Sequence, residues 1–304
     1  MGDEDIICEA IQGGSGPRLL ITGGVHGDEY EPMAAIRTLS GRLCEETIQG
    51  TAILVPVVNA AAYRLGQRVA EDGLDLARVC PGNAQGAITE RAAYALSRLI
   101  LSADFFIDLH TGGKSLTLFP LAGYMLHRDA NVLESQRRMA RAFNLPLIWG
   151  TTPDLEGRSL SVARDANVPA IYVEIGGGGG PLNRQAVYDM VEGCLNVMAE
   201  LKMLQRQRPA PRIRHIAETP GKQSGFLQIN YPSPIEGIFE PAVSPGDVIH
   251  EGAPIGRAFD PQTDKSVSIP AKESGLVVML RADARVHRED ALATIIPGIG
   301  EKYV

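Results

Sequence analysis

The chain has 304 residues, 44% hydrophobic and 21% charged, which is long for one domain and comfortable for two. Its net charge of −7 argues against nucleic acid as a partner, because phosphate binding needs a basic face. No stretch is long and apolar enough to span a bilayer, the acidic start Met-Gly-Asp-Glu-Asp is unlike a secretory signal, and four scattered cysteines form no Cys-x-x-Cys pair. The reading is therefore of a cytoplasmic protein with no membrane or nucleic-acid partner, no disulfide framework and no cysteine zinc site; self-association to a homo-oligomer stays open.

Strand-like and helix-like segments alternate through the first two-thirds. Short apolar or β-branched runs at 18–22, 51–58, 104–109, 116–121 and 170–175, each bounded by Gly, Pro or Asn, predict strands. Segments 32–43, 90–102, 129–143, 159–166 and 184–207 predict helices. The alternation predicts an α/β domain over 1–208, a largely parallel mixed sheet flanked by helices. Beyond the proline-broken stretch Arg208-Pro209-Ala210-Pro211-Arg212, helical periodicity stops and short strands alternate with turn signals. A small all-β domain is predicted over 212–304.

Ligands of a parallel sheet gather at the carboxyl ends of its strands. His26, Asn59, His110 and Glu174 all follow such ends in the predicted layout. The first is in Gly-Gly-Val-His-Gly-Asp-Glu, which starts at Gly23 and puts His26 and Glu29 three residues apart where a strand turns into a helix. A lone His-x-x-Glu is common by chance; with His110, at the exit of the strand at 104–109, it becomes a candidate mixed nitrogen and oxygen zinc site. Glu174 closes an apolar strand, where an unpaired charge is expensive. It is read either as half of an ion pair with an arginine or as a general base. Arg64, Arg68 and Arg78 fall in the loop that follows Asn59. Each alone is ordinary solvated charge, but a hydrolase acting on an acylated amino acid needs one cation for the oxyanion and another for the substrate carboxylate. His127, His215, His250 and His287 have no partners at ligand spacing, while Trp149 and the five glycines at 176–180 are candidates for lining a pocket.

Taken together, Gly-Gly-Val-His-Gly-Asp-Glu, Val-Asn-x8-Arg, Asp-Leu-x-Arg, Asp-Leu-His and Val-Glu-Ile-Gly occur in the order of the succinylglutamate desuccinylase/aspartoacylase family. The chain resembles that branch of the zinc carboxypeptidase superfamily from Gly23 to about residue 180, and its long helix and β domain fit the same layout. The resemblance implies one zinc ion per chain on His26, Glu29 and His110, with Glu174 as catalytic base. It also implies Arg68 on the carbonyl oxygen, Arg78 and Asn59 in substrate binding, and Asp75 behind the ligands. The substrate it implies is a small N-acyl amino acid, and the glycine-rich motifs look most like the N-acetyl-diaminobutyrate deacetylase subgroup. Ala77 departs from the pattern, since the family usually has asparagine there, and Ala60 replaces a common proline. A carboxypeptidase acting on short peptides is the alternative within the same chemistry. From another class, residues 233–277 are similar to a lipoyl or biotinyl carrier domain, with Thr263-Asp264-Lys265 where such domains carry their cofactor. The barrel-sandwich fold without modification accounts for the same turns.

Overall fold

The computed structural model describes residues 6–222, 224–227 and 229–299; the acidic start at 1–5 lies outside them. The chain divides into two compact units. The first comprises Met1–Thr111, Pro120–Glu174 and Pro181–Lys222, the second Gly112–Phe119, Ile175–Gly180 and Gln223–Val304. The predicted boundary near 208–212 and this division thus place 112–119, 175–180 and 212–222 differently.

In chain order the first unit contains β1 (Glu9–Gln12), β2 (Gly14–Thr22), α1 (Tyr30–Leu43), β3 (Gln49–Val55), α2 (Ala60–Leu65), α3 (Leu76–Val79), α4 (Ile88–Ile100) and β4 (Phe105–His110). It continues with the latter part of β5 (Leu116–Met125), then α5 (Ala130–Phe143), β6 (Leu147–Thr151), α6 (Ser159–Asp165), most of β7 (Ala170–Gly177), α7 (Arg184–Glu200) and β8 (His215–Glu218). Neighbouring strands run β1-β3-β2-β4-β7-β5, with β6 and then β8 beyond β5. The β2–β3, β2–β4, β4–β7, β5–β6 and β6–β8 pairs are parallel, and β1 pairs antiparallel on β3. Leu19, Leu20 and Ile21 of β2 and Phe106 and Ile107 of β4 are fully buried, which explains why these strands read as continuous apolar runs. The helices pack in two groups, α1 and α5 against α7, and α3 and α6 against α4.

Two predicted segments need correction. The helix expected to reach residue 207 ends at Glu200: Lys202 turns left-handed (φ 60°), Met203 N donates back to Met198 O, and Met203 O accepts from Gln49 N. The arginine-rich stretch after Asn59 is not one loop. Asn59 Oδ1 accepts from Ala62 N to cap α2, and Asp75 Oδ1 accepts from Ala77 N to cap α3, so Arg64 and Arg78 sit on short helices.

The second unit holds β9 (Gly237–Pro241), β10 (Val248–Ile249), β11 (Pro254–Phe259), β12 (Ser266–Pro270), β13 (Gly275–Arg281), β14 (Arg285–Val286) and β15 (Ala293–Pro297). One sheet has the order β12-β11-β9-β14, all antiparallel; β13 pairs with β10, with β15 and with Leu116–Leu118 of β5. Phe239, Ile255, Val277, Val286 and Leu292 form its apolar core. Lys265 closes the β11–β12 hairpin, where its carbonyl accepts from Asp260 N. Among the described residues no helix is long and apolar enough to cross a membrane.

The turn between β2 and α1 is held tightly against α2. A Cβ on Gly27 would fall 2.0 Å from the Ala62 carbonyl carbon, so only glycine lets the two segments approach this closely. Gly27→Ala is expected to lower stability by about 1–3 kcal/mol, as overpacking of a filled interior does. Thermal unfolding checks this, and a wild-type Tm would contradict the contact.

Candidate active site

Four functional side chains come from three neighbouring parallel strands. His26 lies in the turn leaving β2, and Glu29 is the residue just before α1. His110 is the last residue of β4, and its register partner across the β4–β7 ladder is Glu174. Glu174 does not close its strand as predicted; β7 runs on to Gly177. Burial alternates along β7, with Ile171, Val173 and Ile175 buried while Tyr172 and Glu174 keep partial accessibility, so these two share one face.

Glu29 is the hub. It is 1% exposed, its Oε1 lies 2.6 Å from His26 Nδ1, and its Oε2 lies 3.0 Å from His110 Nδ1 and accepts from Thr111 N at 3.2 Å. Burial alone would raise its pKa, but the charges and hydrogen bonds of the two imidazoles outweigh burial and hold the carboxyl well below the usual range. The outer ring nitrogens are held as well. His26 Nε2 lies 3.2 Å from Asp75 Oδ1, and His110 Nε2 lies 3.2 Å from Asp108 Oδ2.

Asp108 is fully buried, accepts from Thr22 Oγ1 at 2.7 Å and also from Ser159 Oγ, and keeps a lowered pKa against the cost of its burial. Both ring nitrogens of His110 face carboxylates: burial lowers its pKa, but Asp108 and Glu29 outweigh burial and raise it well above the ordinary value. Asp75 Oδ2 accepts from Arg68 Nε at 3.2 Å and Nη2 at 3.0 Å, which aims the Arg68 guanidinium at the site, 3.9 Å from Glu29 Oε1.

Ligand atoms of His26, Glu29 and His110 lie within 4.8 Å of one another, the one such cluster among the described residues. Two imidazole nitrogens, an ionised carboxylate and carboxylates behind both rings form a donor set that fits zinc. Glu174 stands beside it and behaves oppositely to Glu29. Burial pushes its pKa up to about 8, with His110 opposing and Glu29 adding to the shift, and its Oε2 has no hydrogen-bond partner among the described residues.

The structure also brings in residues that carry no motif. Arg158, just before α6, has Arg78, Tyr172, Asp75 and Glu174 as its charged and polar neighbours, and burial pushes its pKa down to about 10. A bond from Cys80 N to Gly157 O (3.0 Å) ties its loop to the segment carrying Arg78. Asn59 is 1% exposed; its Oδ1 caps α2, and its Nδ2 has no hydrogen-bond partner among the described residues. Trp149, expected near a pocket, is fixed on β6 by donation from Nε1 to Thr219 Oγ1 at 2.8 Å. His127 Nε2 meets the Arg164 carbonyl oxygen, which makes it a structural histidine.

Comparison with known proteins adds a family. The sequence model of the succinylglutamate desuccinylase/aspartoacylase catalytic domain matches residues 15–201. A relative from Halomonas elongata, described as N-alpha-acetyl-L-2,4-diaminobutyric acid deacetylase, is 31% identical over 295 residues, 94% of this chain and 83% of its own. Among solved structures, the product-bound ectoine utilization protein EutE (DoeB) from Ruegeria pomeroyi is similar with a TM-score of 0.87 and 26% identity, covering 95% of this chain and 88% of that one. A succinylglutamate desuccinylase/aspartoacylase structure from Rhodobacter sphaeroides is similar with a TM-score of 0.84 and 28% identity, over 95% and 88% of the two chains.

Two outcomes are expected at the triad. Asp108→Asn removes the carboxylate behind His110 and should weaken zinc binding about 10–100-fold in competition with a chromogenic chelator, whereas unchanged affinity contradicts the role of Asp108. A zinc ion on these ligands would compete with protonation of His110, whose proton affinity Asp108 and Glu29 raise. Affinity should therefore rise with pH and fall in acid, with proton release measurable by calorimetry in two buffers.

Proposed function

The chain belongs to the succinylglutamate desuccinylase/aspartoacylase family, and from that membership we propose that it is a zinc-dependent deacylase. It hydrolyses the amide bond of a small N-acyl amino acid. The observation that carries the catalytic reading is the unpartnered Glu174 carboxylate, held across the β4–β7 ladder from His110. His26, Glu29 and His110 would hold one zinc ion, which supplies the Lewis acidity to acidify a water and polarise the amide carbonyl.

Each remaining role falls to a side chain in place. Glu174, whose burial raises its proton affinity towards neutrality, takes a proton from the attacking water and passes it to the departing nitrogen. Arg68, oriented by Asp75, donates to the carbonyl oxygen as negative charge develops there. Arg78 and Arg158 lie close enough to repel one another, and a carboxylate between them relieves that repulsion, so they receive the amino-acid carboxylate. Asn59, whose side-chain amide has no hydrogen-bond partner among the described residues, is the further candidate for substrate binding. The Halomonas relative makes N-alpha-acetyl-L-2,4-diaminobutyric acid the first substrate to test.

Glu174→Gln is expected to reduce kcat about 10³-fold while zinc content stays at one per chain, and retained turnover would sink the base assignment. Assaying N-acyl amino acids beside C-terminal dipeptides separates deacylase from carboxypeptidase, since hydrolysis confined to the dipeptides overturns the deacylase reading.

A further inference from the structure

Tyr172 stands beside Glu174 and has no role in the chemistry above. It lies two residues before Glu174 on the same face of β7, opposite Asp108 in the ladder. Its ring rests on the bare backbone of Gly123 in β5: an added Cβ there would come within 2.2 Å of the ring carbon Cζ and 2.5 Å of the hydroxyl oxygen. The chain therefore reserves a glycine on the neighbouring strand for this one ring. The hydroxyl has the Glu174 carboxylate and the Arg158 guanidinium as its charged neighbours, yet it makes no hydrogen bond among the described residues. A tyrosine hydroxyl with no protein partner keeps its O–H free to donate to a ligand. Part of the side chain is still accessible, so a ligand can reach it.

We propose that Tyr172 is a substrate-binding residue whose hydroxyl donates a hydrogen bond to the α-carboxylate of the amino-acid half, beside Arg78 and Arg158. The proposal rests on the deacylase reading, in which Glu174 meets the scissile nitrogen. The α-carboxyl carbon is two bonds from that nitrogen, and same-face neighbours on a strand are roughly 6.6 Å apart. One bound molecule can thus touch both side chains. A carboxylate only accepts and a phenol at neutral pH donates, so the pairing is chemically complementary. The two arginines supply charge, while the seated ring fixes the direction of one bond. An acyl group without charge would gain nothing from Arg158 next to the hydroxyl, which is why the amino-acid half is assigned here.

Tyr172→Phe removes the hydroxyl and keeps the ring on Gly123. For N-acetyl-L-2,4-diaminobutyrate, KM is expected to rise about 10-fold, as for a lost hydrogen bond to a charged group, with kcat within about twofold. Inhibition by free L-2,4-diaminobutyrate should weaken in parallel, while inhibition by acetate, which lacks the amino-acid half, should not change. Gly123→Ala, which displaces the ring, should raise KM in the same direction. An active wild-type enzyme with KM and product inhibition unaltered in Tyr172→Phe overturns this proposal alone, as does a fall in kcat at constant KM. A wild-type enzyme that hydrolyses no N-acyl amino acid overturns the deacylase reading, and this proposal with it.

Discussion

The arrangement depends on keeping one buried carboxylate ionised. Moving the charge of Glu29 out of water costs several kcal/mol, and an isolated carboxyl at 1% exposure would take up a proton instead. His26 and His110, one on each oxygen, reverse that balance, and the Thr111 amide adds a third contact. The demand then passes outward. Each imidazole needs a group behind it, Asp75 for His26 and Asp108 for His110, and each of those needs its own donors. Asp75 takes Arg68 and the first turn of α3, while Asp108 takes Thr22 and Ser159. One constraint thus links β2, β4, α1, α3 and α6 at the carboxyl edge of the sheet.

The site holds two glutamates in opposite states. Glu29 has an imidazole nitrogen on each oxygen and stays charged. Glu174 is buried too, but it has no hydrogen bond on Oε2 and has Glu29 as a like-charged neighbour, so its proton affinity rises. Carboxyl groups pushed apart in this way mark the division between a fixed ligand and a group that exchanges protons. The cations divide similarly: Arg68 is locked by Asp75 for one direction of approach, while Arg158 feels the like charge of Arg78 beside it.

Much of this was legible in the sequence, because His26, Glu29, His110 and Glu174 ride on short local motifs at strand-to-loop transitions. The apolar runs of β2, β4 and β7 were equally plain, since buried parallel strands need hydrophobic side chains on both faces. What was hidden depends on distant pairing. Asp108 belongs to the Asp-Leu-His motif, but its partners Thr22 and Ser159 are 86 and 51 residues away. Arg158 sits in an unremarkable Glu-Gly-Arg-Ser turn and gains meaning only when Gly157 is tied to the Arg78 segment. The helices α2 and α3 are too short for periodicity to reveal, and their caps, Asn59 and Asp75, could be read only as site residues. β8 follows a proline-broken stretch that looked like a domain boundary, yet it pairs with β6.

The central claim is that His26, Glu29 and His110 hold a zinc ion on which amide hydrolysis depends. The most direct measurement is to strip the protein with a chelator and return zinc stepwise, recording metal content and hydrolysis of N-acetyl-L-2,4-diaminobutyrate in the same samples, for wild type and His110→Ala. Activity should rise in proportion to bound zinc and level off at one ion per chain in the wild type, with neither binding nor activity restored in His110→Ala. Full hydrolysis by the metal-free protein, or a His110→Ala variant that recovers both zinc and activity, would contradict it.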